Sequence, residues 1–190
     1  MSRAGRAACL IAAALLSASA QPAAAKVYLT QEEALELAFP KPARIERQTA
    51  FLSPPQLERA RELAGSGVRI ESALVIYYIG RRAQTELGAA YFDSHLVRTL
   101  PETIMVVIDP GGRIERIELL SFSEPEEYRP RPAWIDQFDR RALAPELSLK
   151  GAIHGLTGAT LSARAITEAA RRILALHQVV REPQTQGAGG

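Results

Sequence analysis

The stretch TIMVVIDPGGRIERIELLSF, residues 103–122, decides what kind of fold this chain can adopt. Its first half, from Thr103 to Ile108, is an apolar and β-branched run, the composition of a buried strand. Asp109-Pro110-Gly111-Gly112 then breaks the run with the residues that a tight turn demands. Ile114, Ile117, Leu119, Leu120 and Phe122 return as a second strand. Their spacing departs from strict alternation, which predicts a bulge or a strong twist. Two strands joined by so short a turn run antiparallel.

Upstream of this hairpin, ALVIYYIG (73–80) reads as another buried strand ending at Gly80, and GAAYFDSHLVRT (88–99) as its return. Further upstream the texture becomes helical. Thr30 and Glu33 form a capping box at the head of QEEALELA, and Pro40 and Pro42 end that helix. Ser53, Pro54 and Gln56 repeat the pattern, with Gly65 as the stop. These two helices, within residues 26–68, are expected to form an N-terminal packing layer without a site of its own. Downstream, the Pro- and charge-rich segment 123–141 holds a short helix at 133–140, with Trp134 as its core anchor and Arg129, Arg131, Arg140 and Arg141 as solvated surface. A last helix is expected from about Leu161 to His177, with Leu161, Ala165, Ile166, Ala169, Ala170, Ile173 and Leu174 on one buried stripe. The sum is a single α+β domain with a mostly antiparallel sheet flanked by helices. The tail, residues 181–190, has the composition of a disordered segment.

Residues 1–25 have the three parts of a secretory signal: Arg3 and Arg6, an apolar run from Ala7 to Ala20, and small residues with A-x-A cleavage sites ending at Ala20 or Ala25. An uncleaved membrane anchor is the alternative. The expected location is periplasmic. Cleavage removes two basic residues and no acidic ones, so the exported chain carries balanced charge and offers no electrostatic reason to bind nucleic acid. It also removes Cys9, the single cysteine, and with it any disulfide, thiolate metal site, iron–sulfur ligand or C-x-x-C-H haem attachment. The histidines at 95, 154 and 177 have no metal-ligand spacing. No serine elbow or H-E-x-x-H pattern is present. His95 reads as a strand-end or loop side chain, with a cofactor contact as its functional alternative.

One motif carries chemistry: HGLTGAT, residues 154–160, opening the last helix. Thr157 or Thr160 is expected to cap that helix. Gly158 would let backbone approach a ligand, and the open N–H groups of a helix start favour an anion. Many proteins carry such a cap with no ligand. LTGATLSARAIT, however, resembles the flavinylation motif of the FMN-binding domain, found in exported subunits of sodium-translocating NADH:quinone reductases and Rnf-type complexes and in stand-alone periplasmic proteins. Gly155, Thr157, Gly158, Ala159 and Thr160 match, and the looser resemblance runs from about Ala73 to Leu176.

That resemblance implies an FMN-binding domain over residues 69–180, with FMN joined by a phosphoester to Thr160. A flavin transferase would install it. Thr157, Gly158, Ala159, Leu161 and His154 would surround the attachment point, and Glu124 and Tyr128 would come from a loop over the ring. It also implies an electron carrier working with a membrane-bound redox complex rather than a free-standing enzyme. His154 stands where the motif has Asp. A scaffold of the same fold without flavin, or a flavin-dependent small-molecule reductase, are the other readings.

Overall fold

The computed structural model describes residues 26–182, so the leader, Cys9 and most of the tail lie outside the described residues. Its elements are β1 (Lys26–Val27), α1 (Gln31–Ala38), β2 (Arg44–Phe51), α2 (Pro54–Ala64), β3 (Leu74–Arg82), β4 (Thr85–Leu96), β5 (Pro101–Ile108), β6 (Ile114–Phe122), α3 (Pro132–Ile135) and α4 (Thr160–Arg181), with single 3-10 turns at Glu126–Tyr128 and Asp136–Phe138. The six strands form one antiparallel sheet in the order β1-β6-β5-β4-β3-β2.

The 103–122 hairpin forms as its residues dictate. Arg113 N–H donates to Asp109 Oδ1 at 2.9 Å, and Gly112 N–H donates to the Asp109 carbonyl at 3.0 Å, closing the turn. The irregular spacing of the second strand corresponds to two places where β6 carries an extra residue. Thr103 pairs with Ser121 but Ile104 pairs with Leu119, and Val107 pairs with Arg116 but Ile108 with Ile114, so Leu120 and Glu115 are the bulged residues. The first bulge turns Leu120, 5 % exposed, toward the same side as Met105 and Val107.

Each face of the sheet has its own cover. On one side α4 lays Ala163, Ile166, Ala169, Ala170, Ile173 and Leu174 over Tyr91, Ile104, Val106 and Ile108, with α2 beside it through Ala60 and Ala64. The small residues let helix and sheet approach closely. Arg171 joins the two helices: its Nε donates to the carbonyl of Ala64, the last residue of α2, at 2.7 Å, where the helix end presents an unpaired carbonyl and a partial negative charge. On the other side α1 packs Ala34, Leu35 and Phe39 against Ala90, Met105, Val107 and Leu120. Gly80 makes that approach feasible, since a Cβ there would lie 2.2 Å from Phe39 Cδ1.

Three expectations are corrected. Residues 26–68 are not a helical layer: β2 lies within them as an edge strand paired along its length with β3, and the two helices cover opposite faces. The last helix continues past His177 to Arg181, because Val179 is still buried at 1 % exposure. Leu161 does not join the buried stripe. It is 45 % exposed, since one residue after the helix starts the stripe has not yet turned toward the sheet.

Candidate functional site

The first turn of α4, the 3-10 turn at Glu126–Tyr128 and the loop between β4 and β5 meet around a cleft of about 260 Å³. Val97 and Arg98 line it from the loop, Glu124 and Tyr128 from the segment after β6, and Gly158 to Ser162 from the helix start. Six of the eight residues singled out in the sequence come together here: Thr160, Gly158, Ala159, Leu161, Glu124 and Tyr128. His154 and Thr157 do not line the cleft; both are exposed on the loop before it.

That loop is held by its main chain. Trp134, 7 % exposed, donates its Nε1–H to the His154 carbonyl at 2.8 Å, and His154 N–H donates to Gln137 Oε1 at 2.8 Å. Short helix α3 and the turn after it therefore fix where the motif begins, through backbone groups that any residue at 154 supplies. Ala159 N–H then donates to the Leu156 carbonyl at 3.0 Å, closing a four-residue turn with Gly158 at φ +82°. A glycine is needed there for its positive φ, a region costly for other residues, and not for room: a Cβ at Gly158 would meet nothing within 4 Å.

The helix start differs from the sequence expectation. Neither Thr157 nor Thr160 caps α4. The N-cap is Ala159, Thr160 is the first helical residue, and no side chain accepts from the first turn. Thr160 is exposed, so its hydroxyl faces solvent at the cleft. Its neighbour Ser162, 1 % exposed, turns inward instead and donates to the Tyr128 carbonyl at 2.7 Å, pinning the 3-10 turn to the helix. An uncapped N-terminus leaves N–H donors and a partial positive charge facing the cleft, the setting in which an anion is stabilised.

Glu124 plays a part that its sequence position does not reveal. Its Oε1 accepts from the N–H groups of Arg98, Thr99 and Leu100, at 3.2, 2.8 and 3.0 Å. Burial pushes its pKa up, but the three backbone donors together with the Arg98 charge outweigh that and hold it below the usual glutamate range. Glu124 thus shapes the loop wall as a fixed carboxylate, while Arg98 brings a cation to the cleft. Val97, Arg98 and Ser162 were not picked out in the sequence; the first two reach the site only because the β4–β5 register brings their loop beside α4. His95 lies two residues before Val97, on β4, and makes its contacts with Asp93 and Glu102 rather than with the cleft.

A larger groove of about 410 Å³ runs beside β6, between Arg116, Arg129 and Asp136, and includes none of the motif. Among the described residues no group of His, Cys, Asp and Glu is arranged to hold a metal ion, and no helix is long and apolar enough to cross a membrane.

No curated protein and no solved structure matches this chain. A family match does exist, and it spans β5, the Glu124–Tyr128 segment, the loop before α4 and most of that helix. Residues 100–175 match the family described as the FMN-binding domain, so this part of the chain is similar to that family.

Proposed function

We propose that this protein is an extracytoplasmic electron carrier whose FMN is attached by a phosphoester to Thr160 Oγ1. The observation that carries the reading is the position of Thr160: an exposed hydroxyl, first residue of an uncapped helix, at the cleft of a flavin-binding domain. The leader-like residues 1–25 support export, and a flavin transferase would act after it.

The chain's own groups suit this cofactor. Thr160 supplies the oxygen to which the phosphate is joined, and the phosphodiester that results keeps one negative charge. The N–H groups of the first turn and the Arg98 guanidinium are the positive partners available for that charge. Tyr128 and Leu161 offer apolar and aromatic surface beside it, and Glu124 keeps the Val97–Leu100 loop in shape. Bound flavin supplies one- and two-electron chemistry that the side chains here lack. At about 260 Å³ the cleft lies below the usual range for small-molecule sites, about 300–1,000 Å³, so it accommodates part of a cofactor this large and leaves the remainder at the surface. An exposed, tethered flavin suits exchange of electrons with docking proteins, a membrane-bound oxidoreductase on one side and a redox partner on the other.

Intact mass of the protein, produced with its own flavin transferase, tests the assignment beside Thr160→Ala. A gain of one FMN less one water that disappears in Thr160→Ala supports it. No gain, with the transferase active on a control substrate, overturns it. A flavin-free scaffold is the second reading, favoured by one observation: His154 replaces the motif's Asp. The structure uses the main chain of His154 and leaves its side chain exposed. His154→Asp separates the two. Unchanged loading shows that the transferase does not read this position, whereas loading only in His154→Asp assigns the natural chain to the scaffold role.

A further inference from the structure

Beneath the cleft loop runs a chain of four charged side chains that the flavin reading does not use. Arg172 on α4 grips Asp93 on β4 with two parallel bonds, Nε to Oδ2 and Nη2 to Oδ1, each 2.8 Å. Asp93 Oδ1 lies 2.8 Å from His95 Nδ1, and His95 Nε2 lies 2.7 Å from Glu102 Oε1 on β5. Glu102 is 0 % exposed, and its second oxygen, Oε2, has no partner. Burying a carboxylate with half its acceptors idle is costly unless something is gained by it.

The position of this chain suggests the gain. His95 and Glu102 are register partners at the end of the β4–β5 hairpin, directly before the loop that forms one wall of the cleft. Val97 is two residues beyond His95, a rise of about 7 Å along a strand. Arg172 belongs to the helix whose N-terminus forms the opposite wall. The four groups therefore tie the strands that carry one wall to the helix that carries the other, with Arg172 about three turns along α4 from Thr160.

We infer that Glu102, His95, Asp93 and Arg172 are positioning residues for the flavin cleft: they clamp the Val97–Leu100 loop to α4, and the clamp loosens when His95 loses its second proton. With both ring nitrogens facing carboxylates, only the doubly protonated imidazole donates to both. Burial opposes the charge on His95, but Asp93 and Glu102 more than offset it and lift its pKa to about 9; burial likewise raises Glu102, countered in part by His95. Glu168 on α4 and Glu71 before β3 place further negative charge close to Arg172, whose Nη1 also donates to the Arg69 carbonyl at 3.3 Å.

The inference rests on the cleft being the flavin site, yet its first test needs no flavin. Carbon-detected NMR on the full chain, from about pH 7 to about pH 10, follows the His95 imidazole and the carbonyl carbons of Val97 to Leu100 in one sample. The expected result is a common midpoint for both. It moves down together by about one unit or more in Glu102→Gln, where the ring loses an anionic partner. The loop titration vanishes in His95→Gln. Arg172→Lys, which keeps the charge and loses the fork, serves if His95→Gln fails to fold; it should shrink the loop response while the midpoint stays. Loop carbons that ignore the His95 titration, or that move only together with all of β3 and β4, overturn the inference. In the loaded protein, flavin emission should follow the same midpoint. If loop and imidazole titrate together but the loaded protein's emission stays flat, the clamp does not serve the flavin and the inference is overturned as well. If no flavin can be loaded, it is the Thr160 assignment that fails, and the NMR midpoints still decide the clamp.

Discussion

Helices α1 and α2 begin in one way, and α4 begins in another. At α1, Glu33 Oε2 accepts from both the backbone N–H and the hydroxyl of Thr30, each at 2.8 Å, and Glu33 N–H donates back to Thr30 Oγ1 at 3.2 Å. At α2, Gln56 Oε1 accepts from Ser53 N–H at 2.9 Å and from its hydroxyl at 3.0 Å, with Pro54 next in line. The longest helix, α4, has an alanine as its N-cap and no side chain at its first turn, although two threonines stand within three residues of it. Local sequence could have capped α4 as it capped the others. That it does not, at a helix start that lines a cleft, sets α4 apart from α1 and α2: their ends satisfy themselves through side chains, whereas the N–H groups of α4 stay open beside the proposed phosphate position.

The largest effect that could break this comparison is at Thr160. Thr160→Ala should remove covalent flavin completely, read by intact mass, while stability changes by less than about 0.5 kcal/mol because the residue is exposed. A large loss of stability would instead make Thr160 a structural residue like Thr30. Next comes pH. A His whose folded pKa is raised contributes stability that is complete below its ordinary value of 6.5 and is lost as pH rises through about 9. Denaturant unfolding should therefore show about 2 kcal/mol less stability at pH 10 than at pH 7, a difference largely absent in His95→Gln. A flat profile would remove the charged chain from the account of the cleft.

Smaller still, Thr30→Ala should cost about 1 kcal/mol and leave flavin loading untouched. Loss of loading there would mean that the two kinds of helix start are not separate. The smallest effect sharpens the comparison most. Ala159→Ser offers α4 the hydroxyl it lacks and should stabilise the flavin-free protein by about 0.5 kcal/mol. The gain should shrink in the loaded protein, where the phosphate already occupies the helix start; an equal gain in both forms would argue that the phosphate lies elsewhere.

How much could be read beforehand depended on how local each feature is. The DPGG turn, the two capping boxes and the stops at Pro40 and Gly65 involve residues within a few positions of one another, and all of them are legible in the sequence. Strand β2 was not. RIERQTAF carries charges on both sides because it is an edge strand, stabilised by its pairing with β3 some thirty residues later. At the cleft, Thr160, Gly158, Ala159, Leu161, Glu124 and Tyr128 could be picked out, the helix start from its composition and the family resemblance, the other two from the resemblance alone. Arg98 and Val97 could not, since nothing in HLVRTLPE marks a loop that register places against a helix start sixty residues away. Nor could the charged chain: Arg172 and Asp93 are 79 residues apart.

The sequence by itself determined the elements whose causes are short-range: an antiparallel hairpin, two capped helices, a long amphipathic helix and a threonine motif at its head, each set by backbone preferences and by neighbours three or four residues away. The tertiary structure decided what those elements enclose. It gave Glu124, at the cleft, three backbone amides to hold, left the N-terminus of α4 open, exposed Leu161, and joined His95 to Glu102 and to Asp93, itself held by Arg172. These depend on strand register and on how helix and sheet pack, and packing is a property of the whole chain.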